Sequence, residues 1–429
     1  MSKTKKFKHT NIAEFAKTAK YRKALANRHK KESVFQFIGF FAILLSICFL
    51  ASLIVNISFK ASGAFSATYV KMPIYLDKEI IKEDNPAYLE NFAYRQLLIH
   101  NIDLYFSESN ESRRAKLKIL HFFSKDSYND LKKYVINNPD KIGKNINIWL
   151  KTSSKIDQFY KKNTENILPL YKKILDNYFL NNNAIKKVIS FSIFTNGDST
   201  EAELAGIATS LTGSILTMII FLLSSFPLGV LLALYLEEFA VKNKFADFIE
   251  ININNLAAIP SIIFGLLGLS VFINLLHVPR SSALIGGLTL SLMVLPTIVI
   301  ATRNSIKAIP STIKHAALGL GASPMQVALH HTLPLALPGI LTGTILAVSR
   351  ALGETAPLIM IGMIAFIIDK PESFSDPTTV LPVQIYLWSN NPEIGFVEKT
   401  SATILLLLLF LVAFNSIAIW LRNKFSRKW

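Results

Sequence analysis

Residues 315 to 357 open as His315-Ala-Ala-Leu-Gly-Leu-Gly-Ala-Ser323 and pass through Leu333-Pro334. They continue as a long apolar run broken by Arg350, Glu354 and Pro357. A polar, glycine-containing segment therefore stands between two stretches hydrophobic enough to cross a bilayer. The second stretch carries a charge of each sign. A charge at the centre of a spanning helix costs at least about 2.5–3.5 kcal/mol on insertion scales, so such charges mark function. An energy input and a solute path are expected here.

The whole chain agrees with a membrane reading. Of its 429 residues 51% are hydrophobic and 17% charged, with a net charge of +17. Soluble and disordered chains do not combine these values. The apolar runs Val34–Ile57, Gly206–Tyr235, Leu256–Leu276, Ala283–Ala301, Leu335–Ile368 and Ala402–Leu421 each approach the roughly 20 residues a bilayer requires. Six spanning helices are predicted, the third and fourth interrupted by Pro260, Gly265 and Pro296. No ten-residue segments of alternating hydrophobicity occur, which argues against a β-barrel. The first run reads as an uncleaved anchor, because its apolar core is long and Ala61-Ser-Gly-Ala64 is a weak cleavage pattern. Cys48, the sole cysteine, lies inside that run and reads as a small apolar residue.

The basic excess has an address. Residues 1–33 hold Lys3, Lys5, Lys6, Lys8, Lys17, Lys20, Arg22, Lys23, Arg28, Lys30 and Lys31 against Glu14 and Glu32. The tail adds Arg422, Lys424, Arg427 and Lys428. The positive-inside bias puts both ends in the cytoplasm, and an even number of crossings agrees. The arm is suited to anionic lipid rather than nucleic acid, having no fold to present to bases.

Four parts follow: a basic cytoplasmic arm (1–33), a first spanning helix (34–57), an extracytoplasmic domain (58–205) and a spanning domain (206–425) with a cytoplasmic loop at 303–334. The second helix ends inside at Glu237-Glu238, the third turns outside at His277–Ser281, and the fourth returns to Arg303. Residues 369–399 fall outside, and Arg280 is on the side the bias does not favour. Within 58–205, Tyr88–Tyr105, Ala115–Val135 and Ile146–Tyr178 show helix-like spacing, with Phe92, Leu97 and Leu98 or Leu131, Tyr134 and Val135 as examples. A mostly helical domain is predicted. His100 and His121 without cysteine make no metal site, and the domain reads as a spacer that touches a partner.

Between Pro310 and Pro334 the chain is amphipathic. Ala316, Ala317, Leu320 and Val327 can share an apolar side, Gly319 and Gly321 leave room for close approach, and Ser323-Pro324 marks a turn. Such a helix is either an ordinary connector or a piece that seats in a groove of another protein.

The segment resembles the coupling loop of ATP-binding-cassette (ABC) importer permeases: Glu-Ala-Ala, three residues, Gly, nine residues, Ile, one residue, Leu-Pro. Ala316, Ala317, Gly321, Leu333 and Pro334 stand at those spacings, with His315 where Glu is usual and His331 where an aliphatic is usual. Three further stretches resemble phosphate permeases of the PstA type. They are Pro338 to Leu358, containing Arg350-Ala-Leu-Gly-Glu-Thr-Ala-Pro357, then Asn254 to Leu266, and Leu295 to Arg303. The likeness covers about residues 200–425, and the outer insertion is similar to an extra domain in one branch of that family.

The resemblance implies an all-α polytopic membrane protein of the MetI-like permease fold in a bacterial inner membrane. It implies a second permease (PstC type), a paired ATPase (PstB type) holding ATP with magnesium, and an outer phosphate-binding protein (PstS type). This chain would be no enzyme and bind no cofactor, in keeping with its lack of a Gly-x4-Gly-Lys-Ser/Thr loop. His315, Ala316, Ala317, Gly321, Leu333 and Pro334 would form the ATPase-coupling loop.

Arg350, Glu354, Thr355 and Arg303 are the candidate path residues. Arg350 and Glu354 are four apart and so share a helix face. They either pair to make a helix contact tolerable or line the path. A guanidinium fits two phosphate oxygens, and a carboxylate can accept the proton that hydrogen phosphate carries and sulfate lacks. Thr342, Thr344, Ser349 and Thr355 offer hydroxyls that their own helix can also satisfy, while Gly353 and Pro357 weaken the local helix. Arg303 either receives the departing anion or anchors a lipid headgroup. A permease for sulfate or molybdate is the rival reading, and a membrane receptor with an outer sensing domain is a more distant one.

Overall fold

A computed structural model describes residues 19–81, 86–105, 119–161, 167–180, 183–241 and 243–425. The chain divides into two units, Met1–Ile57 and Ser58–Trp429. In the first, helix α1 (Ala19–Ala61) exposes Phe35, Phe37, Phe40, Phe41, Phe49 and Leu50. Apolar side chains go round every side of it, as befits a helix whose solvent is hydrocarbon. Lys23, Arg28, Lys30 and Lys31 lie on this helix. Lys3, Lys5, Lys6, Lys8, Lys17, Arg427 and Lys428, and the start of the Ala115–Val135 window, are outside the described residues.

The second unit begins with a sheet that the helical reading of 58–205 does not contain. Strands β1 (Ser66–Tyr75), β2 (Asn145–Lys151) and β3 (Ile185–Ile189) run antiparallel in the order β2-β1-β3. Val70 pairs with Leu150, and Ser66 with Ile189. Alternation explains the strands: Val70, Met72 and Ile74 are buried, as are Ile146, Ile148 and Leu150. Helices α2 (Tyr94–Tyr105), α3 (Asp126–Asn137) and α4 (Ser154–Tyr160) pack with this sheet, beside shorter helical pieces. Leu97, Leu98, Leu131 and Val135 enter its core at the helical spacing expected. Asn101 binds α2 to the end of β1, accepting from the Tyr75 N–H at 2.6 Å and donating to its carbonyl at 3.0 Å.

The rest is helical: α5 (Ala208–Leu234), α6 (Lys244–Ala257), α7 (Ser261–Leu267), α8 (Ala283–Lys307), α9 (Ser311–Gly319), α10 (Leu333–Gly353), α11 (Ala356–Met360), α12 (Leu381–Ser389) and α13 (Gly395–Phe425). Five helices among the described residues are long and apolar enough to cross a membrane, and a sixth crossing arises if α6 and Ser261–Leu275 count as one bent pair. Pro260 marks that bend, of 110°, whereas Pro296 sits inside an unbroken α8. Helix α8 is central, packing on both α5 and α10. Its contact with α5 includes a Ser224–Ser291 hydroxyl bond, the kind of polar link that holds helices where burial supplies no driving force.

Helices α8 and α10 run past each other in a readable register. A Cβ on Gly339 would meet Ser305, and one on Gly343 would meet Ala301. Extending that antiparallel register sets Arg350 level with Val294, the middle of α8. The apolar run Leu335–Ile368, expected as one helix, is in fact two pieces. Helix α10 stops at Gly353, Glu354 is extended (φ −79°, ψ 126°), and α11 resumes for five residues. The carbonyl of Gly362 then accepts from the Ser281 hydroxyl next to the start of α8. Close packing supports the break: a Cβ on Gly265 of α7 would lie 2.7 Å from the Pro357 backbone. Broken backbone at membrane depth is tolerated where protein covers it or a cavity meets it.

Candidate functional site

The end of α10 carries the paired charges. Arg350 is in its last turn, where a cation complements the unpaired carbonyls. Glu354 is not on the helix, so the shared helix face expected for the two does not exist. They still meet, Arg350 Nε lying 3.6 Å from Glu354 Oε1, with the side chains 44% and 20% exposed. That distance is beyond a hydrogen bond, and such a pair contributes little stability. Among the described residues Glu354 is the only carboxylate within 4 Å of Arg350. Most of the guanidinium's donors are thus available. Gly339, Thr342, Leu346, Arg350 and Gly353, spaced three or four apart, form the exposed stripe of α10.

The neighbouring hydroxyls divide. Thr342, Thr344 and Ser349 each donate to the carbonyl four residues back, at 2.8–2.9 Å. Ser349 also reaches Asn415 of α13 at 3.0 Å. Thr355 precedes α11 without capping it by its side chain.

Arg303 stands apart from this group and is not arranged as a path residue. Its side chain is only 10% exposed and is held by two carboxylates. Nε donates to Glu237 Oε1 at 2.6 Å, and Nη2 donates to Glu250 Oε2 at 2.7 Å. An anion or a lipid headgroup would have to share this guanidinium with both carboxylates. The expectations for Arg303 are corrected accordingly: it knits α8 to α6 and to the turn Tyr235–Phe239 at the end of α5. Lys307 approaches Glu237 at 3.4 Å, and Lys314 of α9 pairs with Glu238. Sequence reading missed Glu237, Glu238 and Glu250 as partners because they lie 53 to 76 residues from the cations they serve.

The loop forms helix α9, of which only Ala317 is buried. Val327 is buried too, but Ala316 is exposed and Leu320 is 91% exposed, so the four do not share one covered side. Leu318 and Met325 are also exposed. Gly321 has a specific task. Its φ is +88°, its N–H bonds the Leu318 carbonyl at 2.9 Å, and the Ala322 N–H bonds the Ala317 carbonyl at 3.1 Å. This double closure ends a helix with a left-handed residue, which glycine adopts without strain. Nothing lies within 4 Å of a Cβ at Gly319 or Gly321. Within this chain these glycines therefore serve no close approach. Ser323-Pro324 starts a helix rather than a loose turn, its Oγ and the Gln326 side chain forming a reciprocal cap. A wider turn, Val327–Thr332, leads into Leu333 and Pro334, where α10 begins; Pro334 falls in its first turn, where a missing N–H costs little. His315 and His331 are exposed.

A second group of charges lies beside the insertion. Lys161 of the insertion is buried against Asp157, reaches Glu398 of α13 at 3.3 Å, and donates to the carbonyls of Gly63 and Ser66. An open cleft of about 750 Å³ is lined by Arg95, His121, Lys125, Glu201, Glu203 and Glu393. Burial pushes the Glu203 carboxyl up to about 7, although the Ser154 N–H donates to it at 3.1 Å. Burial and the nearby Asp126 likewise raise Asp130 to about 6. No sequence motif pointed to these acids.

Residues 225–429 match the family described as "Binding-protein-dependent transport system inner membrane component", and residues 22–169 match a domain of unknown function, DUF3333. The probable ABC transporter permease protein YqgI of Bacillus subtilis is 31% identical over 56% of this chain and 85% of its own length. The phosphate transport system permease protein PstA of Haemophilus influenzae is 31% identical over 53% of this chain and 79% of its own. Among solved structures, the inward-facing MetNI methionine ABC transporter aligns with 52% of this chain and 95% of that one. Identity there is 18% and the TM-score 0.41, too low for the likeness to carry weight.

Proposed function

Because this chain belongs to the binding-protein-dependent transport system inner membrane components, and within them to the PstA type, we propose that it forms half of an ATP-driven path for inorganic phosphate. It is an ABC importer permease subunit and a multi-pass membrane protein, not an enzyme. The observation that carries the phosphate reading is Arg350: an exposed guanidinium level with the middle of α8, held only loosely by Glu354. At that depth, exposure to lipid is costly, so the exposed stripe of α10 faces a water-filled path or a partner helix. The guanidinium offers paired donors for two phosphate oxygens, and Glu354 accepts the proton of hydrogen phosphate. Thr355, beside them at the break, adds a hydroxyl.

A second permease of the PstC type completes the path in this reading, and a phosphate-binding protein of the PstS type delivers the anion on the side of the insertion. Helix α9 lies in the cytoplasm, where a PstB-type ATPase pair holding ATP and magnesium seats against Leu318, Leu320 and Met325. Both chain ends share that side. The nearly bare surface of α9 supports the docking role. Arg350→Gln tests the path. Radiolabelled phosphate uptake falls to background while the variant still inserts and co-purifies with the ATPase; normal uptake refutes the reading. Competition by sulfate or molybdate as strong as by phosphate would reassign the cargo.

A further inference from the structure

The acids that neutralise Arg303 belong to a doublet with two separate attachments. Glu237 and Glu238 are consecutive in the turn Tyr235–Phe239 that ends α5. Neighbours on a helical turn point about 100° apart, so the two carboxylates serve different elements. Glu237 holds α8 through Arg303 and Lys307. Glu238 holds α9 through Lys314, with side chains 12% and 24% exposed. Glu250 of α6 closes the cluster on Arg303.

Helix α9 has few other ties. Three residues, Ala308 to Pro310, join it to α8. Ala317 is its one buried residue, and past Gly321 the chain doubles back so that the turn Val327–Thr332 packs on it. A displacement of α9 would reach α8 along the chain and would reach α5 by two routes: through Lys314, and through the turn Val327–Thr332, whose Ala328 packs with Val230 and Leu234 of α5. Part-buried pairs of this kind are weakly screened by salt. We propose that the Lys314–Glu238 pair is the strut that carries movement of α9 into α5, so that α5 and α8 move as one body. The proposal rests on the reading of α9 as the ATPase-docking helix.

The test uses the full transporter with its ATPase and binding protein in proteoliposomes, reading phosphate taken up per ATP hydrolysed. Lys314→Glu and Glu238→Lys each lower that ratio about tenfold or more while ATP hydrolysis continues, and the double exchange restores it to within about threefold. Lys314→Met and Glu238→Gln, which introduce no repulsion, shift the ratio in the same direction and guard against misfolding of the reversals. An unchanged ratio in these variants, or no rescue by the double exchange, overturns the strut. So does loss of ATPase co-purification in the single variants, which would make the pair a docking element. Leu320→Asp tests the underlying reading separately: it removes the ATPase from the purified complex, and retention of the ATPase would refute docking on α9 whatever the strut variants do.

Discussion

Arg350 and Arg303 are both arginines near the ends of long apolar helices, yet their surroundings are opposite. Arg303 is buried and hydrogen-bonded to Glu237 and Glu250 on other helices. Arg350 is exposed and has one carboxylate at 3.6 Å, four residues along its own chain. The first guanidinium is spent on holding the fold. The second has most of its donors clear of carboxylates, which is what the proposed anion path requires. Residue type and membrane context do not separate the two; the partners do.

The largest effect that could break this contrast is the loss of uptake expected for Arg350→Gln, with thermal unfolding of the purified protein unchanged. Arg303→Leu is its mirror. It takes the cation from Glu250 and leaves Glu237 with Lys307 at 3.4 Å; breaking such a cluster costs about 3–5 kcal/mol when fully buried, with the lower end applying because Glu250 is partly exposed and Glu237 keeps Lys307. The expected result is a clear fall in the unfolding midpoint and in the amount of protein recovered from membranes. If Arg303→Leu accumulates normally but fails to transport, the roles assigned here are reversed.

An acid outside the membrane sharpens the same point. Glu203 is half-buried, and among the described residues no ion pair holds its carboxylate; its affinity for a proton is raised from the ordinary 4.5 to about 7. The folded chain holds that proton more tightly than the unfolded one. The associated stability is full below about pH 4.5, is lost as pH rises through 7 and stays lost above. Glu203→Gln should therefore match the parent at pH 4.5 and exceed it by about 1–3 kcal/mol at pH 8. The difference between the two unfolding midpoints across pH measures it. A constant offset would show that the carboxyl does not titrate with folding.

The smallest expected effect concerns the loop. Gly321→Ala forces a Cβ into left-handed backbone at about 1–2 kcal/mol, enough to fray the end of α9. Uptake per ATP should fall while total hydrolysis is kept, and a bulkier residue such as valine should do more. An unchanged ratio in both would remove Gly321 from coupling.

The spanning runs and the loop spacing were legible because hydrophobic length and a short local pattern carry them. Pro260 was legible as an interruption for the same reason. The break at Glu354 was half legible: Gly353 and Pro357 marked a weak helix, but Arg350 to Glu354 still looks like one more turn, and the packing of α7 through Gly265 on the Pro357 backbone belongs to the fold alone. The sheet was legible in principle, since Ile146, Ile148 and Leu150 alternate strictly. Reading Ile146 to Tyr178 as a single helical window hid a seven-residue strand. The Arg303 cluster was beyond reach, because its partners come from elements brought together only by folding.

The pairing of Ser66 with Ile189, and the bond from the Ser190 N–H to the Phe65 carbonyl, has a consequence for the ancestry of the chain. Residues 66–189, most of the insertion, leave and rejoin the polypeptide at a single point, like a parcel on a drawstring. A gene could gain or lose the whole of it by joining two adjacent backbone positions, with no helix of the bundle rerouted. What would change is the company of two acids: Glu398 would lose Lys161, and Glu201 would lose Lys125. A permease that never carried this parcel has no reason to keep acids at those two places.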